Sequence, residues 1–371
     1  MEQPPLEPLR NDWPRNEPLL RIASFNLENL DAGPGAAVPV EDRLRVLQPQ
    51  LIRLAADILC LQEVNGQHPG PRQPRGLQAL DRLLAETPYA GFHRAVAPPP
   101  HAHGPIGDKH NLVVLSRWPI EAQFLLRHHR IAPPAPATAG DGDGPLSPVM
   151  WDRPVQQLRI GLPDGPPLHL LHLHLRAPLA APIPGQKLDA ARWRTVAGWA
   201  EGFHRAALKR IGQALETRLA VDALLDADPD ALILVAGDCN AEERETPLRL
   251  LRADVADTGN PLLAGRSLVP LETHLPPARR YSVLHGGQPV LLDHLLASRA
   301  LAVWFRDCAI HNEGLTDELA DLDACPPSPE SHHAPVVAVF AWPHPPLPPS
   351  RPAPTKPGAP EPHGLSGDAT P

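Results

Sequence analysis

The run Leu232-Ile233-Leu234-Val235-Ala236, which closes on Gly237-Asp238-Cys239-Asn240, constrains the fold of this chain more than any other stretch. An unbroken apolar run of this length reads as a buried strand of an α/β scaffold. Such a strand is rigid and its carboxyl end opens into a crevice, which is where chemistry is placed on these scaffolds. Asp238 and Asn240 are two residues apart, so in extended geometry they face the same side while Cys239 turns away. A carboxylate and a carboxamide on one face suit a hard cation and a phosphate oxygen. Gly-Asp-x-Asn also forms ordinary turns, so the string draws its weight from what the other strand ends carry.

Those ends repeat the pattern. Leu19–Phe25 runs into Asn26, Ile58–Leu61 into Gln62-Glu63, and Leu168–Leu175 carries His174 near its end. Asp293 lies within the apolar run Pro289–Ala297, and Ser331-His332-His333 stands just before the run Pro335–Phe340. Each polar residue alone has a plain structural explanation as a turn, cap or solvated terminus. Their shared position beside otherwise apolar strands points to one site.

The rest of the chain alternates with these strands. Arg43–Ala56 and Leu77–Glu86 have helical apolar spacing, and the proline-free stretch Leu188–Leu225 predicts one long helix or two in tandem. Val155–Ile160 and Leu168–Leu175 form a hairpin across the turn Pro163–Pro167. The 51 prolines mark loops such as Ala132–Pro148, read as a mobile surface loop, and a tail. The expected layout is a flexible segment 1–18, one α/β domain over 19–342, and a disordered proline-rich tail 343–371.

A net charge of −8 excludes a bulk nucleic-acid coating protein, which needs a basic surface, but leaves room for a local basic groove. Cys60, Cys239, Cys308 and Cys325 lack ligand-like or disulfide-framework spacing and read as reduced thiols. No apolar run reaches membrane-spanning length, and the polar start of the chain is not that of a signal peptide, so a cytoplasmic protein is expected. The cations on the long helical stretch, interleaved with Glu201 and Glu216, read as a solvated face.

Seven segments in order resemble the endonuclease/exonuclease/phosphatase superfamily of deoxyribonuclease-I-like, apurinic-endonuclease-like and sphingomyelinase-like hydrolases. They are Arg21–Asn26, Asp57–Glu63, His110–Arg117, His172–Leu175, Gly237–Asn240, Leu292–Leu296 and Ser331–Pro335. The resemblance spans about Leu20 to Phe340. It implies a four-layer α/β/β/α sandwich with two packed mixed sheets, and divalent-metal-dependent hydrolysis of a phosphoester with Mg2+ or Mn2+.

The anionic phosphorus centre of a phosphodiester repels nucleophiles, so a catalyst must hold a cation on the phosphate, orient a water and stabilise the leaving oxygen. Glu63 is the candidate principal metal ligand, with Asn26 completing its shell. Asp238 is placed to orient or deprotonate the water and Asn240 to bind a phosphate oxygen. His333 would contact the scissile phosphate as a cation, with Asp293 behind it raising its basicity. The resemblance adds His174 as a second phosphate contact or acid and Asn111 as a substrate contact.

One position departs from the family's pattern, in which the last motif reads Ser-Asp-His. Here it reads Ser331-His332-His333. With His332 as a metal ligand, one anion is lost, which predicts weaker magnesium binding and a shift towards manganese. The expected activity is a phosphodiesterase of endonuclease type, acting on a phosphoester substrate with nucleic acid as one candidate. Hydrolysis of a small or lipid phosphoester, such as an inositol phosphate or phospholipid, is the alternative within the same chemistry. A non-catalytic binding module on the same fold is the alternative outside it.

Overall fold

The computed structural model describes residues 19–342 except 34, 71–72, 136–147 and 322–326. The expected flexible segment 1–18, most of the loop Ala132–Pro148, Cys325 and the tail 343–371 lie outside the described residues.

In chain order the strands are β1 (Leu19–Leu30), β2 (Ile58–Val64), β3 (His93–Ala97), β4 (Asn111–Ser116), β5 (Ile120–Leu126), β6 (Val155–Ile160) and β7 (Leu168–His174). They continue with β8 (Leu232–Asp238), β9 (Val269–Pro270), β10 (Val283–His285), β11 (Gln288–Val290), β12 (Asp293–Ala297), β13 (Phe305–Ile310) and β14 (Val336–Ala341). The helices are α1 (Val40–Leu54), α2 (Gln78–Leu84), α3 (Val196–Ala227) and α4 (Thr246–Arg252), with single turns α5 (Val255–Thr258), α6 (Arg299–Ala302) and α7 (Glu318–Asp321). One sheet runs β13-β14-β1-β2-β4-β3 and the other β5-β6-β7-β8-β12-β9, with β10-β11 as a small hairpin. Both large sheets are mixed: β1 and β2 are parallel, as are β7 and β8, while their other neighbours are antiparallel.

The period of two along each strand builds the layers. Ile22, Ile58, Cys60, Leu170, Leu234 and Leu295 point into an interface between the two sheets. Their neighbours Ala23, Leu59 and Leu61 point outward against Leu47, Leu51 and Leu54 of α1 and Leu80 of α2. Leu171, Ile233 and Val235 point the other way, against Val221 and Leu225 of α3 and Leu248 of α4. The result is the four-layer α/β/β/α sandwich. Each fully buried Leu or Ile contributes about 1.5–3 kcal/mol, so the core requires the unalternated apolar runs read from the sequence.

Three differences from the sequence reading have physical causes. β1 continues past Asn26 to Leu30, with a bulge between Asn26 and Leu30, so Asn26 sits inside a bent strand. The long helix begins at Val196, where the Thr195 hydroxyl caps it by accepting from the Gly198 amide. Residues 188–195 instead form a loop folded on itself, with the Leu188 amide donating to the Arg192 carbonyl and the Arg194 amide to the Gln186 carbonyl. The expected solvated face of that helix is largely tied down. Arg218 is buried and donates to the Leu251 and Arg266 carbonyls and to Asp222. Glu216 is buried and accepts from the Trp151 indole and from the amides of His128 and Arg130.

Candidate active site

Strand register sets the site. His174 pairs with Asp238 between β7 and β8, and Asp238 pairs with Asp293 between β8 and β12, so three adjacent strands present a histidine and two carboxylates in a row. Gly237 makes this close pairing possible. Its φ is +140°, and a Cβ there would lie 1.9 Å from the Leu173 carbonyl oxygen, a contact open only to glycine.

From the facing sheet come Asn26 and Glu63. The Asn26 amide nitrogen donates to Asp238 Oδ2 at 3.0 Å and to Glu63 Oε1 at 3.4 Å, while its oxygen accepts from the Glu28 amide at 2.9 Å. Asp238 Oδ2 is the common point of the site. Asn240 Nδ2 reaches it at 3.1 Å, His174 Nε2 at 3.4 Å and His333 Nε2 at 4.0 Å. The Asn240 amide also donates to Asp238 Oδ1 at 2.8 Å. Glu63 Oε1 lies 3.7 Å from His174 Nε2, and Glu63 Oε2 accepts from the Asn29 amide at 3.0 Å.

The backbone around the cleft is strained. Glu28, Asn29, Glu63, His110 and Asn240 all have positive φ; such conformations cost about 1–3 kcal/mol each and cluster at functional sites. Behind the cleft the sheet interface turns polar: Gln62 Nε2 meets Ser24 Oγ at 3.0 Å and His172 Nε2 at 2.6 Å, and His172 Nδ1 meets Gln156 Oε1 at 3.2 Å. Burial pushes His172 down to about 3, so it is neutral.

The electrostatics separate the two nearest histidines. Burial pulls His333 down, but the carboxylates of Asp293 and Asp238 outweigh it and hold the ring up at about 10. Its Nδ1 donates to Asp293 Oδ2 at 2.8 Å. His174 is held well below the usual range by burial, and then by Arg153, His110 and His333. Asp238 is pushed up to about 7 by burial and by Asp293.

Asn26, Glu63, His174, Asp238, Asn240, Asp293 and His333 therefore come together. Asn111 does not face the cleft. It is fully buried; its amide donates to the Val64 and Gly107 carbonyls and its oxygen accepts from the Gly107 amide, so it pins a loop and is not a substrate contact. His332, expected as a metal ligand, is engaged by Glu28. Its Nδ1 lies 2.8 and 2.9 Å from the two carboxylate oxygens, and its amide donates to the same group at 2.7 Å. The Asn240 amide group is likewise committed, to Asp238 and to the Leu175 carbonyl at 3.1 Å, which makes it a support for Asp238.

The sequence reading missed Glu28 and Arg153. Glu28 follows Asn26 by two residues, the same spacing that singled out Asp238 and Asn240. Arg153 lies in the polar segment before β6 and is buried beside His110, Glu63 and Asp238; no pattern in the sequence marks it.

The donor chemistry of the cleft fits a hard divalent cation. Asp238, Asp293 and His333 each place a nitrogen or oxygen within 4.8 Å of the others; with the His333 ring protonated, the carboxylates of Asp238, Asp293 and nearby Glu63 are the donors. Asp293 Oδ1 is buried with no hydrogen-bond partner among the described residues, which is costly for a carboxylate that nothing binds.

The profile of the endonuclease/exonuclease/phosphatase family matches residues 23–328. The chain belongs to that family. Its members are hydrolases of phosphoesters, and divalent metals are general among them. The fold is similar to that of solved structures. Truncated TDP2 from Caenorhabditis elegans is 15% identical, with 87% of this chain and 98% of that one covered and a TM-score of 0.51. A humanized TDP2 from D. rerio is 16% identical, with 87% and 98% covered and a TM-score of 0.50. An AP endonuclease from Archaeoglobus fulgidus is 15% identical, with 87% and 100% covered and a TM-score of 0.48. No curated protein matches the sequence. No helix among the described residues is long and apolar enough to cross a membrane.

Proposed function

We propose that this family member is a metal-dependent phosphodiesterase of endonuclease type, with Asp238 as general base and His333 as the cationic acid. The observation that carries the reading is the convergence on Asp238 Oδ2, with His333 held protonated between Asp238 and Asp293. A carboxylate raised to about 7 is matched to taking a proton from water near neutral pH. Asn26 and Asn240 fix its orientation. His333 faces the same point and would offset charge on the phosphate and give a proton to the leaving oxygen. Water oxygen bonds to phosphorus as the ester P–O bond breaks; one proton goes to Asp238 and one leaves His333.

Glu63 is the carboxylate proposed to hold Mg2+ or Mn2+, since Asp293 already accepts from His333 Nδ1 and Asp238 is proposed as the base. A bound divalent cation supplies charge neutralisation on the phosphate. Neutral His174 offers a hydrogen bond between Glu63 and Asp238. It is not the acid, because burial and its cationic neighbours disfavour protonation.

The test is cleavage of supercoiled plasmid DNA and of a chromogenic phosphodiester in Mg2+, in Mn2+ and in chelator, beside phospholipid and inositol phosphate substrates. Diester cleavage that stops in chelator and falls at least about 1,000-fold in Asp238→Ala supports the reading. Turnover that survives that substitution assigns the base elsewhere, and turnover of phospholipid alone selects the lipid alternative.

A further inference from the structure

Arg43 is a cation that the mechanism above leaves unused. It stands in the first turn of α1 and is 6% exposed, with Nε buried and without a partner among the described residues. The two acids of that turn are engaged elsewhere: Glu41 accepts from Arg82 at 2.7 Å and Asp42 from Arg45. Glu28 and Glu63 favour the guanidinium charge through space, while burial opposes it. A cation in a first turn also faces the positive end of the helix dipole, so α1 gains nothing from its charge.

The guanidinium instead spans two segments outside the helix. On one side Nη2 donates to the Leu27 carbonyl and, at 3.2 Å, to the Glu28 carbonyl; on the other Nη1 donates to the Glu330 carbonyl at 3.1 Å. Leu27 and Glu28 belong to the bulge of β1, where neither β2 nor β14 pairs with residues 27–29. Glu28 and Asn29 there have φ of +45° and +54°. The bulge thus turns carbonyls away from the sheet, and a buried carbonyl left unpaired is costly. Glu330 opens the segment that carries His332 and His333. A lysine cannot replace this contact, because a single ammonium does not reach carbonyls on both sides, whereas a planar fork does.

Further bonds join the same two segments. Ser331 Oγ donates to the Asn26 carbonyl at 2.7 Å and accepts from the His333 amide at 3.1 Å, and the His332 amide donates to the Glu28 carboxylate at 2.7 Å. Asn26 and His333 therefore end one hydrogen-bonded seam, and they stand 3.0 and 4.0 Å from Asp238 Oδ2. Leu47, Leu51 and Leu54 anchor α1 in the core, so Arg43 reaches the seam from a fixed base.

We infer that Arg43 is a positioning residue, whose fork holds the bulge of β1 against the loop before β14 and so sets where Asn26 and His333 stand about Asp238. This rests on the phosphodiesterase reading above and deepens it. The charge is retained in a buried place because three main-chain carbonyls from two segments converge on it, and charge-assisted hydrogen bonds are the strong ones.

The test has one arm that needs no turnover. Proton NMR in chelator reads the low-field signal of the His333 Nδ1–H bonded to Asp293, identified by its absence in His333→Gln. The signal is expected in the wild-type protein, lost to exchange with water in Arg43→Ala and weakened in Arg43→Lys. Arg43 lines an open cavity of about 500 Å³ with Glu28, Glu330 and His332, so added guanidinium has a path to the vacated place. At concentrations well below denaturing, guanidinium should restore the signal in Arg43→Ala and methylammonium should not. In the diester assay kcat should fall about 100-fold in Arg43→Ala, the cost of a small misplacement of reacting groups, and recover with guanidinium. KM should stay within about threefold, since the loss is of placement and not of substrate binding. An Arg43→Lys protein with full signal and full kcat overturns the proposal, and decides alone if Arg43→Ala does not fold. Losses in Arg43→Ala that guanidinium and methylammonium repair equally, or that neither repairs, also overturn it. Absence of diester turnover in the wild-type protein, with the NMR pattern as expected, overturns only the catalytic reading.

Discussion

The two walls of the cleft hold the same residue type in opposite states. His333 stands on the loop before β14 and His174 at the end of β7, and both lie beside Asp238. His333 has Asp293 2.8 Å behind its Nδ1 and is cationic. His174 Nδ1 is buried without a partner among the described residues, with Arg153 and His110 near the ring, and it is neutral. Burial alone favours the neutral ring on both walls, so the carboxylate behind His333 decides the difference. A site can thus derive an acid and a neutral hydrogen-bond donor from one side chain by what stands behind each.

The strongest way to break this contrast is to remove Asp293. Asp293→Asn keeps the shape and removes the charge, so His333 should fall towards the usual histidine range. Turnover should drop about 100- to 10,000-fold, the contribution of a positioned acid or base. Nitrogen-15 NMR of the histidine rings would follow the loss of the imidazolium directly. A His333 that stays protonated well above neutral in this variant would assign its charge to Asp238 instead.

The pH profile sharpens the same comparison. With Asp238 pushed up to about 7 and His333 up to about 10, turnover should rise as pH climbs through about 7 and fall on approach to about 10. His333 also links pH to stability. Its folded value lies above the unfolded one of about 6.5, so its contribution is fully present below about 6.5 and lost as pH rises through about 10. In Asp293→Asn the alkaline limb should shift to lower pH in both measurements. An unmoved limb would mean that another group sets it.

On the opposite wall, His174→Gln should cost less, about tenfold in turnover, because the neutral ring gives a hydrogen bond and no proton. The acid and alkaline limbs should stay in place. A lost alkaline limb would exchange the roles assigned to the two walls.

How much of this could be read from the sequence differs between the walls in the same way. Asp238, His174 and Glu63 stand at or near the ends of apolar runs, where strand direction alone foretells a shared edge, and register then makes them neighbours. The layers were legible because Ile22 and Ala23, or Leu234 and Val235, sort to opposite faces by the period of two. Contacts set by bends were not. Asn26 was placed at a strand end, but a bulge carries the chain onward and turns Glu28 to His332. The amide group of Asn111 is spent on a loop that no periodicity describes. The helix expected from Leu188 starts eight residues later because a missing proline only permits a helix, whereas the Thr195 cap defines its start.

The smallest expected effect belongs to His332, where the chain departs from its family. The simple expectation was that an aspartate there would restore a ligand and tighten magnesium. The partner across the gap changes that outcome. Burial raises the Glu28 carboxyl, but the hydrogen bonds and charge of His332 outweigh burial and lower it. His332→Asp would set two carboxylates face to face in place of this pair, and without a cation they repel. The variant should therefore melt a few degrees lower in chelator, a loss of about 1 kcal/mol, and recover more on adding Mg2+ than the wild-type protein does. Its turnover should change by less than about tenfold, because neither residue touches Asp238 directly. Calorimetric melting with and without Mg2+ reads this coupling. Equal metal-dependent shifts in the two proteins would show that the Glu28–His332 pair stands apart from the metal, as a strut between β1 and the His333 loop.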